Sequence, residues 1–90
     1  MPEAAPFFAA LGDPVRWAII ARLCDDGPLP TMRLKEGMRL TRQAITKHLK
    51  LLEEVGLVRS ERVGRDRSWK IDAQWEARLE RLRVFVDEPS

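Results

Sequence analysis

The stretch 41–58, TRQAITKHLKLLEEVGLV, constrains the fold of this chain more than any other. Ile45, Leu49 and Leu52 recur at spacings of four and three, the mark of one apolar helix face. At 100° per residue, Gln43, Lys47 and Lys50 fall on the opposite face, with Arg42 and Thr46 along one flank. Thr41 is placed to cap the helix, although Ala44 stands where a capping box needs Glu or Gln. Gly56 follows the last turn, where a helix is expected to stop. The spacing therefore predicts an apolar anchor that carries an outward surface of amide, hydroxyl and cations.

The flanking segments extend this pattern. Residues 6–11, PFFAAL, read as a short apolar helix ended by Gly12. Asp13-Pro14 restarts the chain as N-cap and first helical residue, with Val15, Ile19 and Leu23 as the apolar edge, and Asp25–Pro28 close that helix. A third, short helix is expected from Pro30-Thr31 to about Glu36, ended by Gly37. Leu57–Val63 and Arg67–Ile71 read as two strands around Gly64-Arg65-Asp66, with Trp69 and Ile71 sharing a face. A last helix, 73–86, carries Trp75, Leu79, Leu82 and Val86. The expected fold is mainly α with a small β-hairpin, in the order α-α-α-α-β-β-α. That is a winged helix-turn-helix whose wing is the hairpin 57–71, in one domain spanning 1–90.

The charge distribution sharpens the functional reading. The formal net charge is only +2, but residues 33–70 hold eleven Lys or Arg against five Asp or Glu, a net of +6. Residues 1–32 and 71–90 each carry −2. A cationic centre between anionic ends suits a polyanion such as nucleic acid. The cluster coincides with the amphipathic helix and the hairpin. A short helix on a small helical core, followed by a basic hairpin, is an arrangement that reads a DNA major groove.

Other function classes find little support. There is no Gly-rich phosphate loop, no Ser/His/Asp or Cys/His set, and the adjacent Glu53 and Glu54 do not face each other on a helix. An enzyme is not expected. No apolar run approaches the roughly 20 residues of a membrane span, and the start, MPEAAPFF, has no signal-peptide pattern. With Cys24 the single cysteine, no internal disulfide can form, and a cytoplasmic setting is expected. Cys24 reads as a small apolar filler rather than a redox switch.

The segments LGDPVRWAIIARL and TRQAITKHLKLLEEVGLVRSERVGRDRSWKI resemble the ArsR-type winged-helix transcriptional regulators. The shared features are a DP-x-R helix start, a [ST]-x-x-A-[IV]-[ST]-x-H-L recognition helix, a GLV exit and a G-R wing, over about residues 7–72. The resemblance implies a homodimer formed by the first and last helices. It also implies a roughly palindromic double-stranded DNA operator and repression that an inducer, of unspecified chemistry, relieves. By position, Arg42, Gln43, Thr46 and Lys47 would face the groove, with Thr41 and His48 near the backbone and Arg65 and Arg67 on the wing.

Metal-sensing members carry paired Cys near the third helix or Asp/His sets on the last. Residues 31–38 have neither Cys nor His and residues 73–88 have no His, so a non-metal-sensing member with no cofactor is expected.

Each singled-out residue also has a plainer role. Lys47 and Lys50 suit phosphate rather than bases, and solvation alone remains open for Lys50. His48, the single histidine, has no nucleophile partner or second metal ligand in view and suits packing with a hydrogen bond. Arg62, Arg65 and Arg67 can protect a strand edge as well as hold a minor groove. Phe7, Phe8, Leu11, Trp75, Leu79, Leu82 and Val86 are too many apolar groups for the ends of a small monomer, and a two-fold dimer would bury them isologously. A membrane-surface helix is disfavoured at 73–86 by its lack of a basic face. The alternative to a DNA-binding regulator is a winged-helix module that turns the same surface to a protein partner.

Overall fold

A computed structural model describes residues 9–87, with side chains up to Arg81. Phe7, Phe8 and the side chains of Leu82 and Val86 thus lie outside the described residues. Residues 9–11 are helical and end at Gly12, whose N–H reaches the Ala9 carbonyl. The elements that follow are α1 (Pro14–Asp26), β1 (Leu29–Pro30), α2 (Thr31–Lys35), α3 (Arg42–Glu54), β2 (Val58–Val63), β3 (Asp66–Ile71) and α4 (Ala73–Asp87).

Local chemistry explains most boundaries. The Asp13 carboxylate accepts the N–H groups of Val15 (2.8 Å) and Arg16 (3.1 Å), two donors that the first turn of α1 would otherwise leave open. Arg16 also turns back: its Nε donates to the Ala10 carbonyl at 2.7 Å. The DP-x-R start thus caps one helix at its beginning and the preceding one at its end. Thr41 Oγ1 accepts the Ala44 N–H at 3.1 Å and opens α3. At the far end, Gly56 (φ 83°) donates to the Glu53 carbonyl and Leu57 donates to Leu52, both at 3.0 Å. That crossed pair is a Schellman stop, and only a residue at ease with positive φ fits its corner. Leu57 and Leu52 are both buried, so the stop also delivers the chain to the core before β2 begins.

The core is one cluster. Ile19, Ile20 and Leu23 of α1, Leu34 of α2, Ile45, Leu49 and Leu52 of α3, Leu57, Val58, Trp69, Ile71 and Leu79 are all buried. The expected edge of α1 shifts: Ile20 is fully buried while Val15 is only half-buried. The helix is covered from several sides, touching α3, β3 and α4, so its buried stripe is wider than a single edge. Arg22 fastens α1 to the turn after α2, donating to the Glu36 carbonyl at 2.9 Å beside ion pairs with Asp26 and Glu36.

The sheet has three strands rather than the two of a bare hairpin, in the order β1-β3-β2. Leu29 pairs with Trp69 and Pro30 with Ser68, so β3 is central and the proline sits on an edge, where its missing N–H costs no ladder bond. Asp66 belongs to β3, paired with Val63, which leaves a two-residue turn, Gly64-Arg65. Gly64 has φ 64° and Arg65 has no positive φ, the signature of a type II′ hairpin turn. Among the described residues no helix is long and apolar enough to cross a membrane.

Candidate nucleic-acid interface

On α3 the apolar stripe Ile45, Leu49 and Leu52 is fully buried. This turns Arg42, Gln43, Lys47 and Lys50 outward, all exposed, with Thr41 exposed at the cap. Thr46 is half-buried and its hydroxyl donates to the Arg42 carbonyl at 2.9 Å. Its proton is therefore committed within the helix, and it offers an outside partner its oxygen lone pairs and methyl group. His48 is half-buried, between the buried stripe and the exposed face of α3.

The wing follows from strand alternation. Val58, Trp69 and Ile71 point to the core, so Ser60, Arg62 and Arg67 share that side of the ribbon. Arg62 lies directly opposite Arg67, a like-charge cross-strand pair that repels in the absence of an anion. Arg65 occupies the turn itself, exposed. On the other side Arg59 faces Lys70, but Arg59 Nε is only 2.6 Å from Asp72 Oδ2.

The folding of the chain brings the helix and wing cations together. Arg42 and Arg67 line one cleft of about 110 Å³ with Pro30, Thr31, Met32 and Asp66. Small-molecule pockets are typically about 300–1,000 Å³, so this cleft is too small to enclose such a ligand. Met32, 54% exposed at the start of α2, lines this cleft, and neither it nor the hydrogen bond from Ser60 to Glu53 is apparent from the sequence pattern. Among the described residues, the ion pairs use Arg22, Arg33 and Arg59. None neutralises Arg42, Lys47, Lys50, Arg62, Arg65 or Arg67.

Of the apolar groups expected between two copies, Leu11 and Trp75 are half-buried and pack on the edge of the core. Arg78 lies over the Trp75 ring, 5.1 Å from its centre. Leu79 is 2% exposed and is covered by its own chain. No group of three or more His, Cys, Asp or Glu side chains able to hold a metal occurs among the described residues.

Two caps make the scaffold sensitive to acid. Asp13 lies below the ordinary value of 3.8, chiefly because it accepts the Arg16 N–H, with lesser help from Val15 and the charges of Arg16 and His48. Asp72 is lowered first by the Gln74 N–H that it accepts and then by the Arg59 guanidinium. A depressed carboxyl stabilises the folded chain above its unfolded value and loses that contribution as pH falls through the folded one. The urea midpoint should therefore decline once pH drops below 3.8. An Asp13→Asn/Asp72→Asn variant keeps an acceptor oxygen at both caps and should decline less steeply. Urea titrations from about pH 5 to about pH 2 check this, and parallel curves for the two proteins would refute it.

Comparison with known proteins agrees with this geometry. A helix-turn-helix domain family model matches residues 11–61. The HTH-type transcriptional regulator YuzN of Bacillus subtilis is 46% identical over 66 residues, covering 67% of this chain and 72% of that protein. An ArsR-like transcriptional regulator from Rhodococcus sp. RHA1 superposes with a TM-score of 0.70 at 37% identity, over 96% of this chain and 84% of that one. The homodimeric winged helix-turn-helix DNA-binding domain Mb0332 of Mycobacterium bovis shares the fold at a TM-score of 0.85 and 23% identity, over 97% and 81% of the two chains. The exposed cationic helix, the arginine wing and these likenesses together identify a DNA-binding transcriptional regulator, and the chain belongs to the helix-turn-helix family in its ArsR-type winged-helix group.

Proposed function

We propose that the chain works as a homodimeric repressor on a pseudo-palindromic operator. One α3 from each copy enters the major groove, and the two wings lie on the flanking DNA. The observation that carries this reading is the set of exposed cations Arg42, Lys47, Lys50, Arg62, Arg65 and Arg67 on α3 and the wing, none of them in an ion pair among the described residues. Arg42 and Arg67 share a cleft, and Arg62 and Arg67 oppose each other across the ribbon. Like charges held in that register repel one another, and a polyanion that takes them up relieves the repulsion.

In the proposed complex, Arg42 and Gln43 face base edges, where guanidinium and amide forks match guanine and adenine. Thr46 lies beside them. Thr41, His48, Lys47 and Lys50 are on or near the backbone, and Arg62, Arg65 and Arg67 belong to the wing. Two copies related by a two-fold axis would set their α3 helices about 34 Å apart, one turn of the duplex. The paired surface would use Leu11 and Trp75, with Phe7, Phe8, Leu82 and Val86 completing it. Leu79 supports that surface from within its own chain. Repression then follows from occupancy of the promoter.

Selection of bound sequences from random duplex DNA, with the mass of the protein in solution, tests this reading. An enriched inverted repeat and a dimer mass are expected. A folded protein that enriches no sequence would overturn it and return weight to a protein-binding role for the same surface.

A further inference from the structure

One hydroxyl joins the recognition helix to the wing. Ser60, half-buried on β2, donates to Glu53 Oε2 on α3 at 2.8 Å. The same oxygen accepts from Arg67 Nη1 on β3 at 3.1 Å. A serine hydroxyl has one proton and two lone pairs, so it can serve both partners at once. Its proton goes to a carboxylate, which makes the oxygen a better acceptor for the guanidinium.

We propose that Ser60 is a positioning residue for DNA binding: bridging Glu53 and Arg67, it aims the Arg67 guanidinium into the groove between wing and recognition helix, where it meets a DNA phosphate. The inference rests on the DNA-binding reading above and assigns Arg67 a task distinct from that of Arg65. Arg62 stands directly across from Arg67 and drives the two guanidinium groups apart. The Ser60–Glu53 arm gives the exposed Arg67 side chain an acceptor tied to α3, which holds it on the helix side of the wing. Arg67 also lines a cleft with Arg42, at the start of α3. Arg65, exposed in the turn, has no such hold among the described residues and is the wing cation free to enter a minor groove. Ser60 need not touch DNA to act. It removes conformational freedom from a long side chain before binding, a cost that an untethered arginine meets in the complex.

The test has two arms. The first needs no DNA. Nitrogen-15 relaxation of the arginine Nε–H groups in the free protein should find Arg67 more ordered than Arg65, and Ser60→Ala should erase the difference. Equal mobility of Arg67 and Arg65 in the unsubstituted protein overturns the proposal. The second arm measures affinity for the selected duplex over a range of salt. Arg67→Ala should weaken selected and scrambled DNA alike and reduce the salt slope by about one per protomer. Ser60→Ala should weaken binding by about 3-fold, and add nothing when Arg67 is already alanine. Ser60→Thr, which keeps the hydroxyl, should restore wild-type binding.

Loss of affinity in Arg67→Ala with none in Ser60→Ala overturns the positioning role and leaves the DNA reading intact. An ordered Arg67 in a protein that binds no duplex would instead overturn the DNA reading, and the proposed role with it.

Discussion

Trp69→Ala should remove most of the folding stability of this chain. Trp69 is 1% exposed on the central strand, against the helices, and truncation of such a ring costs about 3–5 kcal/mol. A domain of this size has about 5–15 kcal/mol to lose, with small cores at the lower end. The ring also carries a polar obligation. Its Nε1–H donates to Thr31 Oγ1 at 2.9 Å, and both groups are buried. Thr31→Val leaves the indole proton without an acceptor and should cost about 1–3 kcal/mol. Adding Trp69→Phe removes the orphaned donor, so the double variant should lose less than the sum of the single changes. Urea unfolding of the wild type, Trp69→Ala, Thr31→Val, Trp69→Phe and the double variant checks this. A loss below about 1 kcal/mol for Trp69→Ala would show that the base of the wing is not part of the core.

The same residue marks where sequence reasoning runs out. Periodicity found α3 because its buried stripe is local: Ile45, Leu49 and Leu52 face one way whatever lies above them. The Asp13 cap, the Thr41 cap and the Gly56 stop are local as well, set by atoms two to five residues away. The outward face of α3 was legible for the same reason. β1 was not. Two residues, one of them proline, have no alternation to read, and they are a strand only because Trp69 and Ser68 lie beside them. Nothing near Thr31 announces that its hydroxyl will meet an indole from the far side of the chain. Leu79 falls by spacing on the stripe expected between two copies, yet α1 packs against α4 and Leu79 is already buried within its own chain. The wing shows the same division. Its strands and turn could be read, but the approach of Arg67 to Arg42 and the Glu53–Ser60–Arg67 arm depend on how α3 lies across the sheet.

Gln43→Ala should separate base reading from simple charge attraction. Gln43 is exposed in the first turn of α3, and among the described residues its side chain has no hydrogen-bond partner within the chain. Its loss should therefore leave stability within about 0.5 kcal/mol. Against DNA the effect should be large and selective. A well-aligned amide–adenine pair is worth about 1–3 kcal/mol, or about 5- to 150-fold per half-site. The selected operator should lose that affinity, scrambled duplex should lose almost none, and the preference at one base pair of each half-site should flatten. Lys50→Ala supplies the contrast. A flexible ammonium group positions the protein without reading sequence, so operator and scrambled DNA should weaken by the same factor, with a shallower salt dependence. The pair of variants makes the geometry of α3 decisive. If Gln43→Ala weakens both duplexes equally, position 43 lies on the backbone and the helix enters the groove rotated from the face that its buried stripe presents. If neither variant changes binding, α3 does not enter the groove, and the wing arginines alone hold the DNA.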